Sequence, residues 1–198
     1  MKKILIIQTA FIGDVVLATA LVEKLHRHFP ESTIHFLVRK GNESLLQNNP
    51  YLTEVLIWNK KENKIRNLFG VLKKIRRNKY DLVINVQRFF ATGLLTAFSG
   101  AGKTIGFDKN PLSFLFIKKI KHIFNLQQPK HEVERNNELI RDFTDNVITK
   151  PMMYPSAKDE HSILQYVTDK FVTMTPSSVW FTKKYPAEKW IDLINQFD

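Results

Sequence analysis

The chain has 198 residues, of which 43% are hydrophobic, carries a formal net charge of +11 and contains no cysteine. This apolar content can bury one good core, which excludes disorder of the whole chain, and the lack of cysteine excludes disulfides, thiol chemistry and thiolate zinc sites. No apolar run reaches the roughly 18 to 20 residues needed to span a bilayer, so no membrane-spanning helix is predicted.

The first predicted elements are a strand, a tight loop and a helix. Residues Ile4 to Ile7 form a continuous apolar run, typical of a strand that is buried on both faces of a parallel sheet. Apolar residues then recur at helical spacing from Val15 to Pro30. Gly13 and Asp14 lie at the join, where glycine permits a sharp turn or a close ligand, and aspartate can cap the helix. The spacing leaves two interpretations of Asp14 open, a helix cap and a functional carboxylate.

Strands and helices alternate along the rest of the first 150 residues. Further strands are predicted at 33–38, 55–58, 80–86 and 103–107, and helices at 43–48, 65–75, 89–99 and 131–144. Residues 111–124 fit a strand, a short helix or a surface loop. This alternation predicts an α/β fold with a doubly wound, Rossmann-like parallel sheet and right-handed crossovers.

The positive charge is concentrated between Lys60 and Lys79, a window with nine lysines and arginines and the single acid Glu62. Apolar residues recur at helical spacing within it, which predicts a basic amphipathic helix. Its basic face is either simply solvated or attracts an anionic membrane surface or a phosphorylated saccharide. Nucleic acid is not predicted as a partner, because no recognition-helix, RNP-like or zinc-finger pattern accompanies the charge.

The chain beyond residue 150 predicts a connector and the beginning of another domain. Two prolines, Pro151 and Pro155, indicate a connector, a strand is predicted at 171–174, and a helix at 186–197 has proline at its first position. One strand and one helix cannot bury a core of their own. The predicted organisation is therefore a domain at 1–150, a connector at 151–168, and the first strand and helix of an incomplete domain at 169–198.

Five segments resemble glycosyltransferase family 9, the ADP-heptose:lipopolysaccharide heptosyltransferases and their relatives, in the order in which that family has them. The matching segments are 11–17 with Phe29-Pro30, 80–87, 106–108, 131–135 and 183–190. The resemblance covers nearly the whole chain. It implies the two-domain GT-B fold, in which two Rossmann-like domains face a cleft and this chain supplies the N-terminal half. The first domain would hold the acceptor and the catalytic base, and the second the nucleotide-sugar donor.

The resemblance also implies roles for single residues. The catalytic base would be Asp14. Contacts to the acceptor would come from Thr9 and Gly13. Arg88 follows the predicted strand that ends near Gln87, so its place near the carboxyl ends of the strands predicts a contact to an anionic acceptor, although a solvated arginine explains it equally well. Contacts to the donor would come from Ser177, Ser178 and Lys183.

The sequence departs from the family at several points. Relatives often carry arginine in place of Gln8 and proline in place of Ala20, and the first difference concerns acceptor contacts. The later Asp-Ser/Thr-Gly-x-x-His segment, which contacts the donor in relatives, is absent from this sequence. We therefore expect the chain by itself to lack transferase activity.

The function implied by the resemblance is inverting transfer of a heptose or a similar sugar to lipopolysaccharide core or a related surface glycan. The donor would be a nucleotide sugar such as ADP-heptose, and the acceptor would displace the nucleoside diphosphate from it directly. The reaction would take place at the cytoplasmic face of the inner membrane, with no cofactor and no metal. The leaving diphosphate would be stabilised by helix N-termini and Lys183. A non-catalytic module for an anionic glycan or membrane surface stays open. A regulatory nucleotide-binding domain is disfavoured, because Gly13 stands without a G-x-G-x-x-G pattern.

Overall fold

The computed structural model describes residues 2–123, 130–167, 171–178 and 181–196. The chain divides into two compact units, residues 1–155 and residues 156–198. The predicted domain boundary at 168–169 lies outside the described residues, as do Phe124 and Phe197 at the ends of two predicted segments. Within the described part, no helix is both long enough and apolar enough to cross a membrane.

A six-stranded sheet organises the first unit, with the strand order β3-β2-β1-β4-β5-β6. The strands are β1 (Lys3–Ile7), β2 (Thr33–Arg39), β3 (Leu52–Trp58), β4 (Leu82–Asn85), β5 (Lys103–Phe107) and β6 (Lys118–Ile120). Every neighbouring pair is parallel. The chain winds from β1 to one edge, returns to the centre and winds to the other edge, so the order reverses between β1 and β4. The predicted doubly wound, Rossmann-like sheet is confirmed.

The apolar run of β1 is buried because the sheet is covered on both faces. Ile4 and Ile6 pack into one core cluster, whereas Leu5 and Ile7 pack into the other. This alternation follows from the two-residue period of a strand, and it explains why β1 has no polar face.

Two helices lie on each face of the sheet. The first core cluster contains α1 (Ile12–His28) and the residues that follow α4 (Glu132–Glu138), and the second contains α2 (Lys64–Asn78) and α3 (Phe90–Ala97). The second unit contains α5 (Ala157–Leu164) and α6 (Ala187–Ile194). In α2 the buried residues are Leu68, Val71 and Ile75, which confirms the predicted amphipathic helix.

Several predicted elements of the first unit are shorter than expected. The helix predicted at 43–48 is a 3₁₀ helix over Glu43–Leu46, and the helix predicted at 131–144 ends at Glu138, before a 3₁₀ turn over Arg141–Phe143. The ambiguous segment that begins at Pro111 contains a 3₁₀ turn over Ser113–Leu115 and then β6.

Three predictions for the chain beyond residue 150 are wrong. The strand expected at 171–174 is absent, because no described residue pairs with this segment and an apolar run becomes a strand only when a neighbour completes its hydrogen bonds. The connector expected through 168 instead contains α5. Its cap is reciprocal, since Asp159 N donates to Ser156 Oγ at 3.1 Å and Ser156 N donates to Asp159 Oδ2 at 2.8 Å. Pro186 is the N-cap of α6 rather than its first residue.

Candidate active site

The candidate site lies at the carboxyl ends of the strands, where the strand order reverses between β1 and β4. In open α/β sheets this edge is the usual place for ligands, because the loops that follow neighbouring strands meet there. Three such loops meet here, the one after β1 at 8–11, the one after β3 at 59–63 and the one after β4 at 86–89.

Thr9 connects these three loops through a hydrogen-bond network. Its Oγ1 donates to Gln87 Oε1 at 2.6 Å, and both side chains are buried. Lys60 Nζ donates to Thr9 O and to Thr9 Oγ1, each at 2.8 Å. The Thr9 hydroxyl therefore donates to the loop after β4 and accepts from the loop after β3. These two bonds hold the ends of the three strands in a fixed arrangement.

Lys60 is a half-buried cation in an apolar setting. Its Nζ lies 4.6 Å from the ring centroid of Trp58, which is itself buried. Burial, followed by the positive charges of Arg39 and Lys64, lowers the pKa of Lys60 to about 8. At neutral pH the side chain is thus charged, but an anionic ligand nearby would stabilise that charge considerably.

Asp14 occupies the third position of α1, because the helix begins at Ile12 and its N-cap is Phe11. Asp14 Oδ2 accepts a hydrogen bond from Phe11 N at 3.1 Å. Phe11 has no side-chain acceptor to offer in return, so only the acidic half of a capping box is present. The interpretation of Asp14 as the N-cap residue is therefore wrong, although its carboxylate does satisfy a free N–H at the helix start. Among the residues that the structure describes, none donates to Oδ1.

Gly13 is also helical, so the expectation of a sharp turn at this residue is wrong. A Cβ atom built on Gly13 would have no heavy atom within 4 Å. Packing within the described chain therefore does not require glycine here. The residue before Asp14 thus leaves open space at the start of α1.

The loop after β1 is fixed by contacts on both sides. Gln8 is buried and accepts from Ala10 N at 3.2 Å, and Asn42 Nδ2 donates to Ala10 O at 3.0 Å. The guanidinium of Arg39 lies 4.9 Å from the ring centroid of Phe11. Gln8 therefore serves the geometry of its own loop in this chain, where relatives often carry arginine.

Arg88 follows Gln87 directly and is exposed. Its guanidinium lies 5.8 Å from the ring centroid of Phe89, and in the described part of the chain no hydrogen bond joins it to Thr9 or Asp14. The structure thus places Arg88 in the same loop as Gln87 without fixing its side chain to the network.

The predicted donor contacts lie in the second unit. Ser177 and Ser178 belong to an irregular segment, and Lys183 ends a 3₁₀ turn over Phe181–Lys183. These residues stay predictions, since the structure does not test their role. In the described ranges, histidine, aspartate and glutamate side chains form no group of three that could hold a metal ion.

Sequence reasoning missed Lys60, Gln87 and Arg39 as site residues. The positive charge between Lys60 and Lys79 predicted that Lys60 belongs to the basic helix, but α2 begins only at Lys64, so this prediction is wrong for Lys60. A usable signal was present, because each of the three residues ends a predicted strand or follows one closely, and the carboxyl ends of parallel strands share one edge.

Comparison with known proteins supplies the family context. A family model described as Glycosyltransferase family 9 (heptosyltransferase) matches residues 68–198. Lipopolysaccharide heptosyltransferase 3 of Escherichia coli is 29% identical over 154 residues, which cover 74% of this chain and 45% of the relative. Lipopolysaccharide core heptosyltransferase OpsX of Haemophilus influenzae is 26% identical over 108 residues, or 54% of this chain and 30% of the relative. The chain spans less than half the length of these relatives.

Solved structures share the fold. A glycosyl transferase family 9 structure from Veillonella parvula superposes with a TM-score of 0.83 at 21% identity, covering 99% of this chain and 60% of the other. The E. coli heptosyltransferase WaaC with ADP gives a TM-score of 0.70 at 20% identity, covering 98% of this chain and 62% of the other.

Proposed function

Because the chain belongs to glycosyltransferase family 9, we propose that it carries the acceptor side of an inverting sugar transfer. The transferred sugar is a heptose or a similar sugar, and the acceptor is lipopolysaccharide core or a related surface glycan, in keeping with the names of the relatives. The donor is a nucleotide sugar such as ADP-heptose, which is a substrate in this proposal and not a cofactor.

The observation that carries the proposal is the carboxylate of Asp14 at the start of α1. One oxygen is held by Phe11 N, while the other accepts no hydrogen bond from the described residues. Asp14 is half-exposed at the carboxyl edge of the central strand β1, where a ligand can reach it. These features suit a general base, which needs a fixed orientation and an oxygen that is free for the substrate.

In the proposed reaction Asp14 accepts the proton of an acceptor hydroxyl. The hydroxyl oxygen forms its bond to the anomeric carbon as the bond from that carbon to the diphosphate oxygen breaks. The nucleoside diphosphate leaves with the electron pair of that bond, and the anomeric configuration is inverted. Charge on the leaving diphosphate is offset by Lys183 and by helix N-termini, and Ser177 and Ser178 contact the donor.

The acceptor is bound, in this proposal, by the loops that Thr9 connects. Lys60 and Arg88 supply positive charge, and Gly13 leaves space for the acceptor near Asp14. Cations at this edge suit an acceptor that carries phosphate or carboxylate groups.

A transfer assay tests the proposed function. The complete gene product is mixed with ADP-heptose and heptose-free lipopolysaccharide, and released ADP is measured together with the mass of the glycan. We expect ADP release that depends on the acceptor, and a glycan heavier by one sugar. Absence of both products across nucleotide-activated heptoses and hexoses would rule out the proposal.

A second candidate function is binding of an anionic surface through α2. Two apolar side chains of this helix are exposed, Ile65 at 71% and Phe69 at 56%, and they lie beside basic residues such as Arg66. Exposed apolar residues among cations are typical of helices that lie in a membrane interface. We propose that α2 contacts anionic lipid or glycan at the cytoplasmic face of the inner membrane, whether or not the protein also catalyses transfer.

A further inference from the structure

A cavity of about 580 Å³ lies beside the C-terminal half of α2, away from the candidate active site. It is lined by Glu54 of β3 and by Gly70, Lys73, Lys74, Arg77 and Asn78 of α2. Positions 70, 73, 74 and 77 lie on one face of a helix, because they follow the three- and four-residue spacing. The cavity lies toward the amino ends of the strands, since Glu54 is the third residue of β3 and Asn78 precedes β4.

Two cations that line the cavity, Lys73 and Arg77, have no acidic partner in the described part of the chain. Lys74 Nζ pairs with Glu54 Oε1 at 2.6 Å, and the other Glu54 oxygen lies 3.4 Å from His35 Nδ1. The hydrogen bond from Lys74 holds the pKa of Glu54 below its usual value, which favours the carboxylate form of Glu54. Within residues 2–123, 130–167, 171–178 and 181–196, the side chains of Lys73 and Arg77 make no hydrogen bond or ion pair, whereas Lys74 is paired with Glu54. The net charge that faces the cavity is therefore positive.

The same stripe breaks two rules of helix stability. Lys73 and Arg77 are like charges four residues apart, which repel each other. Gly70 lies in the middle of α2, where glycine destabilises a helix relative to alanine. A Cβ atom on Gly70 would have no heavy atom within 4 Å, so packing does not require glycine at this position. The helix dipole favours a cation at Arg77 in the last turn but explains neither Gly70 nor Lys73.

We propose that this cavity binds a phosphate-bearing ligand, either a diphosphate or a pair of neighbouring phosphate monoesters. Arg77 can bind a phosphate with two parallel hydrogen bonds, and Lys73 can add a second charge-assisted bond one helical turn away. Gly70 leaves the helix surface open, so that the ligand can approach the backbone. Violations of local stability rules are expected where a protein binds something, which accounts for the glycine and for the like charges together. A free diphosphate and a phosphate carried by a lipid share this chemistry.

Titration calorimetry of the 198-residue chain with inorganic pyrophosphate tests the proposal. We expect saturable binding that weakens as salt is added. The double variant Lys73→Gln/Arg77→Gln should lose about tenfold or more in affinity, the usual effect of removing charge-assisted hydrogen bonds. A matched control, Arg27→Gln/Lys109→Gln, removes two exposed positive charges outside the cavity and outside α2, and should bind like the parent chain.

A third variant separates binding from helix stability. Gly70→Glu should raise the melting temperature, because it replaces a helix-interior glycine and places an acid four residues before Lys74. It should also abolish pyrophosphate binding by putting a negative charge in the cavity. No binding by the parent chain, an equal loss in the control, or unchanged binding by Gly70→Glu would overturn the proposal.

Vesicles distinguish the two sources of phosphate. If the ligand is carried by a lipid, the chain should bind phosphatidic acid vesicles, pyrophosphate should displace it, and Lys73→Gln/Arg77→Gln should weaken this binding. If the ligand is free in solution, the chain should bind pyrophosphate, but the cavity should not contribute to vesicle binding. Pyrophosphate should then leave any chain that is bound to these vesicles in place. Both results support the cavity as a phosphate site, whereas failure to bind pyrophosphate contradicts it even if sugar transfer is observed.

Discussion

Three side chains that follow the ends of β1, β3 and β4 hold the candidate active site together. Thr9 donates to Gln87 and accepts from Lys60, so one small hydroxyl links strands that are distant in sequence. Loss of one of these bonds should cost more stability than loss of an exposed hydrogen bond, because water cannot replace the partner of a buried polar group. These hydrogen bonds therefore hold the three loops in place before any ligand binds.

The lowered pKa of Lys60 predicts a pH dependence of acceptor binding. Its pKa of about 8 means that the side chain is cationic below pH 8 and loses its charge as the pH rises through that value. Affinity for an anionic acceptor should therefore fall above pH 8, and Lys60→Gln should lower affinity at pH 7 by about tenfold and flatten the profile. Measurement of KM for the acceptor between about pH 6.5 and 9.5 checks this.

The neighbouring Lys61 offers a matched control for that experiment. It is exposed, and its backbone N–H donates to Asn59 Oδ1, while its side chain makes no hydrogen bond or ion pair with the described residues. Lys61→Gln removes the same charge one residue away and should keep the pH profile of the parent protein. An identical profile for the parent and Lys60→Gln would show that Lys60 does not contribute to acceptor binding.

Helix α1 binds residues 145–152, the segment near the end of the first unit, through two buried side chains. Lys24 is only 1% exposed, and its Nζ donates to Asp145 O and Val147 O, each at 2.8 Å. It also pairs with Asp145 Oδ1 at 3.0 Å, and Met152 N donates to Thr19 Oγ1 at 3.0 Å. One helix thus carries the candidate base near its beginning and anchors residues 145–152 along its length.

Removing this anchor should destabilise the first unit. Lys24→Met keeps the length of the side chain but leaves two carbonyls without their donor and removes one partner of the Asp145 carboxylate, which should cost about 2–3 kcal/mol of unfolding free energy. Urea unfolding followed by circular dichroism measures the change. Arg27→Met on the same helix alters an exposed residue and should change stability by less than about 0.5 kcal/mol. Equal losses in both variants would contradict the anchoring role of Lys24.

The exposed flank of α2 predicts binding to anionic vesicles. Replacing Ile65 and Phe69 with serine removes apolar surface that would enter the interface, and should weaken binding by about tenfold or more. Binding should also fall steeply with salt, because exposed charges are screened over about 8 Å at physiological ionic strength. Vesicle sedimentation with phosphatidylglycerol measures both effects.

An exposed aromatic residue elsewhere provides the control for α2. Phe114 is 70% exposed and lies outside the helix, so Phe114→Ser should leave vesicle binding unchanged. If the double variant of α2 binds as well as the parent, or if the parent does not bind vesicles, the basic face of α2 is simply solvated.

The sheet was predictable from the sequence because its strands are locally unambiguous. Ile4 to Ile7 and the run at 33–38 are apolar over a strand's length, and the crossover helix between them returns the chain so that the two strands lie side by side and parallel. The run at 171–174 has the same local pattern and forms no strand, since pairing depends on a partner that composition does not reveal. The helix α5 was missed because Pro151 and Pro155 outweighed the capping pattern of Ser156 and Asp159.

The site was only partly predictable for a similar reason. The sequence placed Asp14 near a helix start, but its exact position depends on the backbone of Phe11, which local spacing cannot resolve to one residue. Lys60 belongs to a window rich in lysine and arginine, so the sequence did not distinguish it from the exposed cations of α2. The start of α2 at Lys64 shows that Lys60 lies in the loop before the helix. Networks such as that of Thr9 join residues far apart in sequence, so they follow from topology and not from any local pattern.

For the molecule as a whole we propose the acceptor side of a sugar transferase whose base is Asp14. Asp14→Asn in the complete gene product tests this most directly, because asparagine keeps an oxygen that can accept from Phe11 N but cannot accept the substrate proton. The measurement is steady-state kinetics of transfer, combined with a thermal melt of the same variant. We predict that kcat falls by roughly 10² to 10⁴, the usual contribution of a general base, while the melting temperature and acceptor binding stay near those of the parent. A variant that melts normally and transfers sugar at the parental rate would contradict the account.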